Sequence, residues 1–281
     1  MGLRINTNVS SINAQRNLAN STDALSKSLQ RLSSGLRIYR ASDDAAGLAI
    51  SERFRSDIRS LGQASLNAND GISLLQVAEG ALNETSALLV RMRQLAIQSA
   101  NGTLGSAERT TINNEFRDLA AEIDRIANVT EFNGTQILVS GGGTGSGLAS
   151  VTFQIGINAT ANDTITVSGV NATANGISIT SGTTVDTVSN ATTALGNVDS
   201  AINTISNLRA SFGTVQNRLE SAIRSIAVAI ENTSAAESRI RDVDVASETA
   251  NLTKNQVLQQ AGVAILAQAN VSTSIVLSLL Q

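Results

Sequence analysis

Apolar residues recur at intervals of three and four at both ends of the chain. Residues 5–36 carry Ile5, Val9, Ile12, Leu18, Leu25, Leu29, Leu32 and Leu36, and residues 252–280 carry Leu252, Val257, Leu258, Ala261, Ile265, Leu266, Ile275, Val276, Leu279 and Leu280. That spacing collects side chains on one helical face, so each end is predicted to be an amphipathic helix. From Leu252 onward the one charged side chain is Lys254. Faces this apolar need a partner helix, or neighbouring copies of the chain, to cover them. The residues expected to carry that association are Ile5, Val9, Ile12, Leu25, Leu29 and Leu32 at one end, and Leu258, Ile265, Ile275 and Leu279 at the other.

Between the ends the pattern becomes a heptad. Leu61, Ala68, Leu75, Leu82, Leu89 and Ala96 stand seven apart, with Ala64, Ile72, Ala78, Thr85, Met92 and Leu95 between them. This predicts a helix over about 45–100, and about 55 residues at ~1.5 Å each make a rod of roughly 80 Å. Gly62, Gly71 and Gly80 lie inside it. Each costs about 1 kcal/mol relative to Ala, so packing must stabilise the rod. Val198, Ile205, Phe212, Leu219 and Ile226 repeat the same spacing and predict a long antiparallel partner over about 186–240. A third helix is expected over about 107–129, with Ser106 as its cap, after the Asn101-Gly102 break.

After Asn133-Gly134 the period falls to two. Residues 136–139, 151–157, 164–168 and 176–180 read as short strands separated by Gly, Asn and Ser, and SGGGTGSG at 140–147 reads as a hairpin tip. That glycine run lacks the Lys-Ser/Thr ending of a phosphate-binding loop. The fold class expected is mainly α: an antiparallel long-helix coiled-coil rod with a small β-hairpin region at about 135–180, plus a terminal helix pair.

Composition narrows the function. The chain has 281 residues, no Pro, Cys, His or Trp, 2% aromatics and 15% charged residues. Without proline long helices run uninterrupted, and without large aromatics Ala, Leu, Ile and Val must fill thin helical seams. Lacking histidine and cysteine, the chain has neither the commonest acid–base catalyst nor the usual zinc ligands, so no enzyme, cofactor or metal is expected. A net charge of −3 leaves no basic footprint for nucleic acid. No run of about twenty apolar residues is available to insert into a membrane, and residues 1–20 show no cleavable signal peptide. The Asn-X-Ser/Thr sequons, at Asn83 and Asn133 among others, read as chance in a chain rich in those residues.

The stretches INTNVSSINAQRNL at 5–18, LSSGLRI at 32–38, DDAAGLAIS at 43–51, NANDGISLLQVAEGAL at 67–82, RMRQLAIQSANGT at 91–103, EIDRIANVTEFNGTQIL at 122–138, GTVQNRLESAI at 213–223 and LQQAGVAILAQAN at 258–270 resemble bacterial flagellin, the flagellar filament subunit. The resemblance implies an inner-core N-terminal helix and linker at 1–42, an outer rod domain at 43–241, an inner-core C-terminal helix at 242–281, and no inserted outer domains. It implies a helical homopolymer for swimming motility, extracellular and exported without a cleavable signal peptide. Its implied partners are other copies of itself, the flagellar export machinery and an export chaperone, filament cap and junction proteins, and an innate immune receptor. The receptor contact would fall on Arg91, Leu95 and Glu115.

Two departures from the family pattern stand out. Tyr39-Arg40 follows LSSGLRI, and VSTS at 271–274 replaces a proline common near the C-terminal end, so an unbroken terminal helix is expected. A hook–filament junction protein is the nearest alternative, but such proteins match poorly through DDAAG, ANDGI and RQLAIQSAN, which are complete here. A secreted coiled-coil translocator would need a near-continuous apolar stretch. A flagellin carrying an inserted zinc protease would need histidine.

Overall fold

The structure, a computed structural model, describes residues 7–139 and 150–278, with side-chain environments up to Val271. Ile5, Leu279 and the 140–147 tip therefore lie outside the described residues, as does the side chain of Ile275. The helices are α1 (Val9–Ser34), α2 (Ala45–Ala100), α3 (Ser106–Val129), α4 (Val188–Arg241) and α5 (Val245–Ser278). The strands are β1 (Glu131–Phe132), β2 (Thr135–Gln136), β3 (Ser150–Gln154) and β4 (Thr164–Ser168). The chain forms two compact units, one of Met1–Ile58 with Glu231–Gln281, the other of Arg59–Ile230.

In the Arg59–Ile230 unit the predicted seam is the core. Ala68, Leu75, Ala78, Leu82, Leu89, Met92, Leu95 and Ala96 of α2 are buried in one cluster with Phe116 and Ile123 of α3 and Val198, Ile205, Phe212 and Leu219 of α4. Two ion pairs set the direction of α4 against α2: Arg209 faces Glu79 at 3.7 Å, and Asp199 faces Arg93 at 2.6 Å. The partner numbers fall as those of α2 rise, so the helices are antiparallel. Gly71 is a packing residue here rather than a weak point. A Cβ added to it would meet Phe153 of β3 at 3.1 Å and Leu219 of α4 at 3.2 Å, so the missing side chain lets strand and helix close on α2.

Helix ends follow local chemistry. Asn8 caps α1, its side chain accepting from Ser11 N at 3.0 Å, and Gly35 ends the helix in the left-handed region at φ 72°. Asp44 and Asp244 cap α2 and α5 through Gly47 N and Ala246 N. Arg109 of α3 donates to the carbonyls of Ser99 and Asn101 at the end of α2, the second of which also accepts from Leu104 N. Ser106 does not cap α3: it is the first helical residue, preceded by Gly105, which provides no side-chain hydrogen bond.

The β region differs from the period-two expectation. Asn133 and Gly134, at φ 51° and 75°, form a two-residue turn joining β1 to β2, and pairing stops at Gln136 rather than continuing to 139. Strands β3 and β4 pair antiparallel, Val151 with Val167 and Phe153 with Ile165 on the core side. Residues 155–157 fall outside β3. Residues 176–180 are not a strand. Ile177 N donates to Thr173 O and Ile179 N to Ala174 O, with Ser178 at φ 71°, so the segment is a chain of turns. Ile177 and Ile179 are both buried, which is why their alternation mimics a strand.

Candidate assembly surface

Helices α1 and α5 pack side by side in the Met1–Ile58/Glu231–Gln281 unit, and they run antiparallel. Asn8 Nδ2 donates to Ala269 O at 2.9 Å near one end, and Arg31 meets Glu248 at 3.7 Å near the other. Gly262 lies against Leu18 between them, where an added Cβ would stand 3.3 Å from Leu18 Cδ1.

The seam they share is unexpectedly polar. The covered positions of α1 include Ala14, Leu18, Ser21, Leu25, Ser28 and Leu32, at alternating spacings of four and three, with Ser11, Ala24 and Arg31 also half-buried. Those of α5 are Glu248, Leu252, Asn255, Gln259, Gly262, Leu266 and Ala269. The apolar residues predicted to share one face therefore divide between two. Leu25 and Leu32 point into the seam, whereas Val9, Ile12, Leu29, Leu258 and Ile265 are each between 46% and 61% exposed, as are Val257, Val263 and Val271. A solitary amphipathic pair would bury the branched aliphatics and expose the amides and serines. These helices do so only in part: Leu18, Leu25, Leu32, Leu252 and Leu266 share the seam with serines and amides, while Val9, Ile12, Leu29, Val257, Leu258, Val263, Ile265 and Val271 are left exposed.

The two linkers flanking the pair are bound to one another. Arg37 N donates to Arg241 O at 2.6 Å and Val243 N to Gly35 O at 3.0 Å, forming a short ladder at Leu36 and Asp242. Arg37 also donates Nε and Nη2 to Ile240 O. Ile38 is buried, and Asp43 Oδ2 accepts from the backbone N–H groups of Tyr39 and Arg40. The segment after α1 is thus held in one conformation, with Tyr39 exposed and the Arg40 guanidinium 5.8 Å from its ring centre.

Nearby, Glu52 accepts from Arg241 Nη1 at 2.6 Å and Arg55 Nη1 at 3.0 Å, and Arg55 reaches Glu237 at 3.9 Å. Sequence reasoning missed this cluster, whose members stand up to 189 residues apart. The hydrogen bond from Arg241 does most to hold the Glu52 carboxyl below its ordinary 4.5; desolvation opposes it, and the hydrogen bond from Arg55 and the charges of both arginines add to the lowering. A carboxylate depressed in the folded state adds stability above its unfolded pKa, and that stability is lost as pH falls through the folded value. Glu52→Gln should therefore melt below the wild type at neutral pH. The gap should close as pH falls below about 4.5 and through the lowered folded-state value. Thermal melts across that range check it, and a gap constant with pH counts against the ion cluster.

Arg91 of α2 donates from Nε and Nη2 to Glu115 Oε1 of α3 at 2.9 and 2.6 Å, both side chains about half exposed. Leu95 lies inside the core at 1% exposure. A surface formed here presents Arg91 and Glu115 but not the Leu95 side chain.

Long antiparallel helices with a heptad core, and termini that pair while leaving a stripe of aliphatics exposed, define a class of chain that completes its packing with other copies. Residues 5–141 match the bacterial flagellin N-terminal helical region, and residues 195–280 match the bacterial flagellin C-terminal helical region. The chain is 46% identical to the flagellar filament 33 kDa core protein of Treponema phagedenis, over 99% of each chain. It is 44% identical to a flagellin of Bacillus subtilis, over 99% of this chain and 100% of that one. The crystal structure of Bacillus cereus flagellin superposes with a TM-score of 0.50 at 31% identity, covering 57% of this chain and 88% of that one. The chain belongs to the bacterial flagellin family, a family of structural proteins.

Proposed function

We propose that this chain is the structural subunit of a bacterial flagellar filament, polymerising by helix packing without cofactor or chemistry. The observation that carries the reading is the second aliphatic stripe that α1 and α5 leave exposed outside their shared seam. Their shared seam mixes Leu18, Leu25, Leu32, Leu252 and Leu266 with Ser21, Ser28, Asn255 and Gln259, while Val9, Ile12, Leu29, Val257, Leu258, Val263 and Ile265 are exposed. Fully burying one such aliphatic side chain is worth about 1.5–3 kcal/mol, and a helical array of copies provides that burial at every subunit.

Full-length identity to a filament core protein favours the filament over the hook–filament junction. In this reading the terminal helices form the filament's inner layer and the remainder its outer layer. The chain leaves the cell through the flagellar export machinery, accompanied by an export chaperone, and meets cap and junction proteins at the filament ends. The exposed Arg91–Glu115 pair is the surface an innate immune receptor would meet, with Leu95 buried.

The test is reassembly. Filaments dissociated by acid or heat, returned to neutral pH and seeded with filament fragments, should regrow under the electron microscope. A folded chain that stays monomeric with seeds across all salts sinks the proposal.

A further inference from the structure

The cleft between α3 and the turn segment at 174–183 is a second place where the chain has unspent binding capacity. It has a volume of about 470 Å³, within the range of about 300–1,000 Å³ that small ligands occupy. Its apolar lining is made by Ala120, Ala121, Ala174 and Ile179, with the fully buried ring of Phe116. Its rim carries Arg117, Asp124, Asn175, Thr180, Ser181 and Thr183.

The rim is held in place. Asp124 Oδ1 accepts from Ala174 N at 2.8 Å, Ile179 N donates to Ala174 O at 2.8 Å, and Thr183 N donates to Thr180 O at 2.8 Å. Ile177 and Ile179 anchor the segment beneath. Yet, among the described residues, no hydrogen bond or ion pair engages the Arg117 guanidinium, the Asn175 side-chain amide, the Ser181 hydroxyl or the second oxygen of Asp124. One cation, one carboxylate oxygen, one amide and one hydroxyl, of which Arg117, Asn175 and Ser181 are exposed, thus share one cleft with an apolar lining.

We propose that this cleft binds a small acidic saccharide, a pyranose ring bearing one carboxylate. The Arg117 guanidinium matches a carboxylate with two parallel N–H donors. Ring hydroxyls donate to the free oxygen of Asp124 and accept from Asn175 and Ser181, and the C–H face of the ring lies on the alanines of the lining. Other ligand classes fit less well. A purely apolar molecule leaves Arg117 and Asp124 unmet and desolvated. A divalent cation finds a single carboxylate where it needs several oxygen ligands. A nucleotide polyphosphate finds a single guanidinium.

Saturation-transfer NMR and calorimetry on the full-length, dissociated chain test this with glucuronic acid and glucose as probes. Glucuronic acid should bind with a Kd on the order of 1 mM, and glucose more weakly. Arg117→Gln should weaken glucuronic acid about tenfold and leave glucose unchanged, since it removes a charged two-point contact. Asn175→Ala should weaken both sugars, and Arg218→Gln, on an exposed face of α4, should alter neither. Circular dichroism establishes that each variant retains its helices. Three results overturn the proposal: no binding of either sugar by the folded chain, equal loss in Arg117→Gln and Arg218→Gln, or glucuronic acid binding that ignores Arg117.

Discussion

Leu82→Asp in α2 is expected to unfold the Arg59–Ile230 unit, and Leu219→Asp in α4 to do the same. Both leucines are fully buried, and both belong to the cluster joining α2, α3 and α4. An aspartate at either position loses the burial of a leucine, worth about 1.5–3 kcal/mol. It also places a carboxylate among aliphatic side chains with no partner, adding several kcal/mol more. A domain's whole stability is on the order of 5–15 kcal/mol, so much of it disappears with one residue. Circular dichroism melts should show lost helix or a sharply lowered midpoint. Val90→Asp is the comparison: Val90 lies on α2 but is about half exposed, and its substitution should barely move the melt. Unchanged melting of Leu82→Asp would place the seam elsewhere.

Filament growth should respond in the opposite way to charge on the outer face of α5. Val263→Asp with Ile265→Asp should leave the subunit soluble and as helical as the wild type, because both side chains are more than half exposed. Polymerisation should nevertheless collapse. If burial between copies is worth about 1.5–3 kcal/mol for each side chain, its loss from two raises the critical concentration roughly a hundredfold or more. Sedimentation of seeded mixtures measures that directly. Pelleted yield equal to the wild type would mean that some other surface joins the copies.

The long helices were legible in the sequence because period is a geometric property of the backbone. Helix α2 runs over the predicted 45–100, and of its heptad leucines Leu75, Leu82 and Leu89 are core residues while Leu61 is half-buried. Helix α4 starts at Val188, slightly later than the pattern indicates, since Thr187 accepts from Asn190 N and marks the boundary. Where spacing was ambiguous the reading failed. Ile177 and Ile179 alternate as a strand would, but hydrogen bonds to Thr173 and Ala174 turn the chain back on itself. The terminal residues show a different limit. Spacings of three and four identify Val9, Ile12, Leu25, Leu29 and Leu32 as helical, but cannot say which stripe faces the partner helix. That depends on Asn8, Gly262 and Glu248, whose contacts with the opposite helix set the register. The Glu52–Arg241–Arg55 cluster and the cleft beside α3 were not legible, because both join residues far apart in the chain.

The ladder between residues 35–37 and 241–243 bears on the order in which the molecule can form. Its two rungs join positions about two hundred residues apart, and α1 finds its intramolecular partner in the last helix of the chain. While a chain emerges from a ribosome, the first helix and its linker have nothing to close upon. Contacts of such large separation form late and slowly. The N-terminal end therefore stays open until the C-terminal end arrives. Beginning and end are fastened in one event, and a chain interrupted partway has no means of closing that unit early.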